Sequence, residues 1–158
     1  MVITAQTFVD SKVFIEVLQN QLGQFIPDNF CRFLSLHNGV GVFTMYINID
    51  GMRGSWTRTD LQLAAQQPFS ILTSNVDRRP AKAPDDMLFI GSLGDKRDLV
   101  AMMPDGEVSL WSQDASSIPP RRYESVFDFL LTETRKARLL FDDKGRRRDG
   151  SDILWKPS

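Results

Sequence analysis

Apolar residues at Val13, Phe14, Val17, Leu18 and Leu22 recur at the three- and four-residue spacing of one helix face, and Gly23 ends the run. Upstream, Thr7-Phe8-Val9-Asp10 has the form of a capping box, so the pattern predicts an amphipathic first helix. Pro27 stands at the start of a second helix, where its missing N–H would have no intrahelical partner anyway. Phe30, Phe33, Leu34 and His37 form one stripe on that helix, and Asn38-Gly39 offers two residues that accept the left-handed conformation needed to leave it.

From Val42 the period changes from 3.6 to 2. Phe43, Met45, Ile47 and Ile49 alternate with Thr44, Tyr46, Asn48 and Asp50, which predicts one half-buried strand. Gly51 and Gly54 interrupt the pattern, and Trp56 follows in a polar, loop-like setting. A short helix over Leu61, Leu63, Ala64 and Ala65 is expected to stop at Pro68, and the Pro-, Asp- and Arg-rich stretch from Asn75 to Asp86 reads as a surface loop. Met87-Leu88-Phe89-Ile90 and Leu99-Val100-Ala101-Met102-Met103 are apolar on both faces and read as buried strands. Pro104-Asp105-Gly106 supplies a turn, and Glu107 to Trp111 alternates as the returning strand. A last helix begins at Ser125, whose spacing to Asp128 again fits a capping box. It is expected to bury Val126, Phe127, Phe129, Leu130 and Leu131 and to run to about Phe141.

Strands clustered between terminal helices predict an α+β fold, with a central antiparallel or mixed sheet and helices packed mainly on one face. The 158 residues, 42% of them hydrophobic, suit one ordinary core. Residues 1–141 are therefore expected to form a single domain and residues 142–158 a charged C-terminal tail. No long apolar run and no leader-like start is present, and the lone Cys31 does not ask for an oxidising compartment, so a cytoplasmic protein away from membranes is expected. The net charge of -1 exerts no overall pull toward nucleic acid, but it is unevenly spread. Residues 1–120 carry 9 Lys and Arg against 13 Asp and Glu, whereas residues 121–158 carry 10 against 7. The basic surplus lies in Arg135-Lys136-Ala137-Arg138 and Lys144 to Arg148, which reads first as a solvated helix end and tail, and second as a phosphate-binding arm.

Catalytic chemistry has few residues to work with. His37 and Cys31 are six apart, about 240° around one helix, which is the wrong geometry for a thiol and imidazole pair. One Cys and one His fall short of a structural zinc set. Gly91 to Lys96 lacks the spacing of a phosphate loop, Gly39 to Thr44 lacks the third glycine of a dinucleotide motif, and Asp142 to Asp152 lacks the alternation of a calcium loop. No catalytic, cofactor or metal site is expected. Aromatic residues in polar settings make better candidates, because they bury large areas at little entropy cost. If the strands' apolar sides face the helices, Tyr46 and Trp111 point the other way and either anchor a partner or extend the core under a loop. Trp56, beside Arg53 and Arg58, has the same character, and Asp95 and Asp98 would complement a basic partner from the rim.

Leu22 to Gly39, with its helix-ending glycine, Pro27, Phe33-Leu34 and Asn38-Gly39, resembles the opening signature of the SUKH superfamily. That group includes bacterial toxin-immunity proteins and fungal cell-wall-synthesis regulators. The strand, Gly-Asp corner, strand, Asp-Gly turn and strand from Phe89 to Trp111, and the aromatic-rich Ser125 to Leu130, resemble later parts of the same pattern in the same order. The Asn75 to Asp86 stretch and the basic tail after Phe141 depart from it. The resemblance implies a non-enzymatic protein that binds and neutralises a cognate toxin, a nuclease being one candidate. An intracellular regulatory or scaffolding module with several protein partners is the alternative, and nucleic-acid binding through the basic C-terminal region a lower one.

Overall fold

The computed structural model describes residues 3–5, 11–43, 45–52, 70–111 and 121–150. The Thr7–Asp10 capping box, Thr44, the helix expected over Leu61 to Ala65 and the tail beyond Gly150 lie outside the described residues. Among the described residues, seven strands form one sheet, every neighbouring pair antiparallel and the spatial order following chain order. They are β1 (Ile3–Ala5), β2 (Val40–Val42), β3 (Ile47–Ile49), β4 (Leu88–Leu93), β5 (Asp98–Met102), β6 (Val108–Trp111) and β7 (Arg122–Tyr123). Helices α1 (Ser11–Leu22) and α2 (Asp28–Leu36) lie between β1 and β2 in the chain, and α3 (Val126–Leu140) follows β7. The architecture is α+β, as the order of patterns predicts, and the sheet is antiparallel throughout.

Local chemistry accounts for the ends of the helices. The Pro27 carbonyl accepts from the N–H groups of Phe30 and Cys31, both at 2.9 Å, starting α2 one residue after the proline. His37 caps its other end in extended conformation, its N–H donating to the Phe33 carbonyl at 2.8 Å. At α3 the Ser125 hydroxyl accepts from the Asp128 N–H at 3.2 Å. The Asp128 carboxylate accepts from the Glu124 N–H at 3.2 Å, so the box closes one residue further back than the standard pattern.

The single strand expected from Val42 to Asp50 is instead a hairpin of β2 and β3, with Val40 opposite Ile49 and Val42 opposite Ile47. Phe43 and Met45 sit in its turn at φ of 51° and 69°, a region non-glycine residues rarely occupy. Both are buried nonetheless. The period-two alternation thus records burial around a tight turn rather than a continuous strand. Asn48 and Asp50, expected on a solvent side, are buried as well.

Gly91, expected to bound a strand ending at Ile90, lies inside β4. A Cβ there would come within 1.9 Å of the Asn48 carbonyl oxygen, so only glycine lets β3 approach. The β4–β5 register shifts between Phe89 and Gly91. This bulge brings Leu88, Ile90 and Leu93 to the same core although their spacing is not uniformly even.

The sheet carries two unequal cores. On one face Ile47, Ile49, Val100, Met102 and Val108 pack against Ile15, Leu18, Phe30, Phe33, Leu34, Val126 and Phe129 of the helices. On the other, Met87, Phe89 and Ala101 form a small cluster joined by Ala83, Leu99, Met103 and Trp111. The α2 stripe of Phe30, Phe33 and Leu34 is buried as expected, whereas those of α1 and α3 differ from expectation in part. Among the described side chains of α1, Ile15 and Leu18 are buried, whereas Val13 and Val17 are exposed. On α3 Val126, Phe129 and Ala137 are buried together with Glu133, leaving Phe127 and Leu131 exposed. Apolar residues adjacent in sequence cannot all face inward on a helix whose inward stripe is about 100° wide.

The stretch from Asn75, expected as surface loop, begins in a π-helical turn, Thr73–Asp77, with Asn75 buried. The Asn75 amide donates to the carbonyls of Ile71 at 2.8 Å and Phe89 at 2.7 Å, and its oxygen accepts from the Phe89 N–H at 2.8 Å. It replaces the backbone partner that β3 no longer supplies beyond Ile49.

Candidate functional site

Three turns and the end of α3 meet at one end of the sheet. The Tyr46 N–H closes the β2–β3 turn on Phe43 at 3.1 Å, while the Tyr46 carbonyl accepts from the Gly94 N–H at 2.7 Å. That bond ties the β2–β3 turn to the β4–β5 turn, which carries Asp95. Phe141, directly after α3, stacks on Phe43 at 4.9 Å and meets Tyr46 edge-on at 5.1 Å. The chain then folds back rather than leaving the surface. Asp142 accepts from the N–H groups of Lys144 at 2.9 Å and Arg146 at 2.8 Å, and its N–H returns to the Arg146 carbonyl at 2.8 Å. These N–H donors, that of Arg146 first, hold its carboxyl below the ordinary range. Arg148 is fixed through its N–H to Leu140 and its side chain to the Phe141 carbonyl, both at 2.9 Å.

This turn places the Arg147 guanidinium 5.7 Å from the Tyr46 ring centre and 5.4 Å from that of Phe141. It also ion-pairs with Asp95 and, at 3.6 Å, with Asp149. The Arg147 side chain is 12% exposed and that of Asp95 55%. Burial, and then the Asp95 charge, push the Tyr46 phenol up, with Arg147 opposing. Two ring faces and a carboxylate therefore form a cradle whose chemistry suits a guanidinium. Asp98, the first residue of β5, is exposed three positions beyond Asp95.

Tyr46 and Asp95 are thus brought together, but Trp111 is not with them. Tyr46 and Trp111 were expected on one side of the sheet; Tyr46 lies in a turn and packs on Phe141, so strand alternation does not govern it. Trp111 ends β6 on the second face, edge-on to Phe89 at 6.2 Å, and extends the small core there. Among the described residues its buried indole N–H has no hydrogen-bond partner. Arg53, Trp56 and Arg58 lie outside the described residues.

A buried polar network, missed by the sequence reading, occupies the second face. Asn48 donates to Asp50 at 2.7 Å, the Ser74 hydroxyl donates to the other Asp50 oxygen, and the Asp50 N–H reaches the Ile90 carbonyl at 2.7 Å. Burial dominates over these hydrogen bonds and over the Arg78 charge, and pushes the Asp50 carboxyl up to about 6. Asn38 links the α2 end to this region by accepting from the Met52 N–H at 2.6 Å. Glu133, buried on α3, accepts from the Tyr123 hydroxyl at 2.7 Å and from Lys136 at 2.6 Å. Burial, then Glu133, raises the Tyr123 phenol.

The residues most open to chemistry are occupied structurally. The Cys31 thiol donates to the Ile26 carbonyl at 3.3 Å, and burial followed by the Asp28 charge pushes it up, away from thiolate character. The His37 ring packs at 5.8 Å from Phe33. Among the described residues, no group of three His, Cys, Asp or Glu side chains is placed to hold a metal ion, and no helix is long and apolar enough to cross a membrane. Compared with protein families, curated proteins and solved structures, the chain matches none.

Proposed function

We propose that this chain is a protein-binding module acting in the cytoplasm, an immunity-type protein resembling the SUKH superfamily that binds a cognate toxin and blocks it without catalysis. The observation that carries the reading is the seating of Arg147 among Tyr46, Phe141 and Asp95. The cradle accepts a guanidinium from the chain itself, and exposed Asp95 and Asp98 extend its acidic side. A basic partner, such as the nucleic-acid-binding face of a nuclease, offers matching chemistry. Its charges would be met at the rim, where complementarity governs association rate and partner choice. The resemblance of the sequence motifs supports the class of function, and the cradle supports the chemistry of the partner.

Capture from the source cell with tagged protein, followed by expression of the captured partner alone and together with this chain, tests the proposal. A single stoichiometric partner that arrests growth alone and is neutralised by co-expression is the expected result. Recovery of several non-toxic partners would replace it with the regulatory module.

A further inference from the structure

The outward face of α3 sets two exposed apolar residues between charges of opposite sign. At about 100° per residue, Phe127, Leu131 and Arg138 fall within about 40° of one another around the helix, with Arg135 and Asp128 about 40° and 60° further round on the side of Leu131. Phe127 is 39% exposed and Leu131 52%. The Phe127 ring is held edge-on against Phe33 of α2 at 6.0 Å, so its free side is presented in a fixed position. Glu124, two residues before α3, and Asp128 in its first turn stand at the N-terminal end, and Arg135 and Arg138 toward the other. Among the described residues Glu124, Arg135 and Arg138 make no ion pair.

From this order we infer that the face is a self-complementary docking surface, occupied by α3 of a second copy running antiparallel. A uniformly acidic partner would meet Glu124 and Asp128 as well as the arginines, and a uniformly basic partner would meet the reverse conflict. A second copy about a two-fold axis at Leu131 satisfies both ends. In that register Leu131 faces its counterpart, Phe127 faces Arg135, and Glu124 faces Arg138, each contact occurring twice, as an isologous pair requires. The Phe127–Arg135 contact adds a guanidinium on an aromatic face. One helix pair buries less than the roughly 1,200–2,000 Å² of a standard interface, so the dimer belongs to the weak, reversible class. The inference does not depend on the toxin-binding proposal, because Glu124, Phe127, Leu131, Arg135 and Arg138 are not among the cradle's residues.

Sedimentation equilibrium from micromolar to low millimolar concentration tests it with two full-length variants, Glu124→Arg and Arg138→Glu. Both positions are exposed, and circular dichroism verifies that each variant folds. Each variant alone places like charges opposite each other twice and is expected to weaken self-association by about tenfold or more. An equimolar mixture pairs opposite charges twice and is expected to restore association to near the wild-type level. Leu131→Asp, at the axis, is expected to be monomeric throughout. A wild-type protein that stays monomeric across the range overturns the inference. So does a mixture that associates no better than either variant alone.

Discussion

The two faces of the sheet are built from different chemistry. The helix-covered face is closed by large apolar side chains such as Phe30, Phe33 and Phe129, whereas the other combines a small apolar cluster with the Asn48–Asp50–Ser74 network and the Asn75 bridge. An apolar contact can slide or repack at modest cost, while a buried polar group either has its partner or forfeits its hydration. The first face thus supplies most of the stability, and the second fixes where the π-helical turn sits and makes the fold sensitive to proton concentration.

Removing bulk from the first face sharpens the contrast most. Phe129 is fully buried and meets Tyr123 edge-on at 5.1 Å. Phe129→Ala is expected to lower the unfolding free energy in urea by about 3–5 kcal/mol, the range for a buried phenylalanine whose cavity cannot fully collapse.

The second face answers to pH. Asp50 is 1% exposed and its carboxyl is raised to about 6 from an ordinary 3.8. Between those values the folded protein holds a proton that the unfolded chain has released, so stability is greater on the acid side and falls as pH rises through the window. The expected fall from this one group is about 3 kcal/mol, from the conversion of about 1.4 kcal/mol per pKa unit. Asp50→Asn keeps the shape and can hydrogen-bond Asn48 and Ser74 while staying neutral. It should flatten the urea midpoint across pH 4–6 and leave the variant the more stable protein at pH 7.5.

Asn75→Ala removes four hydrogen bonds at once, one of them a long contact from Arg79 at 3.4 Å, and strands the Phe89 N–H. A loss of about 1–3 kcal/mol is expected, together with faster amide exchange at Phe89. The smallest effect falls at the sheet end. Arg147→Ala deletes two partly exposed ion pairs and two cation–ring contacts, and is expected to cost about 1 kcal/mol or less in thermal unfolding.

The legible parts of the fold are those set by neighbours in sequence. The α1–α2 unit, the Ser125 cap and the β5–β6 hairpin rest on such signals. In the hairpin turn Gly106 takes φ of 88° and Asp105 accepts from the Glu107 N–H at 3.0 Å. The β2–β3 hairpin was hidden because buried turn residues mimic strand alternation, and β1 and β7 are short strands that owe their place to the sheet edges they join. At the candidate site, Tyr46 and Asp95 could be named from their chemistry. Arg147 could not be singled out of its basic run, since its carboxylate partner lies 52 residues away and is reached only through the Asp142 turn. The same distance problem hid Asp50, whose burial depends on Ser74 and the π-helical turn.

The most direct measurement is the affinity of the captured partner for wild-type protein and for the double variant Asp95→Lys/Asp98→Lys, by titration calorimetry at two salt concentrations, with thermal melts confirming that both are folded. The account predicts at least about a tenfold weaker complex for the variant, with the difference shrinking at high salt. An affinity unchanged by the double reversal would contradict the assignment of this sheet end as the binding surface.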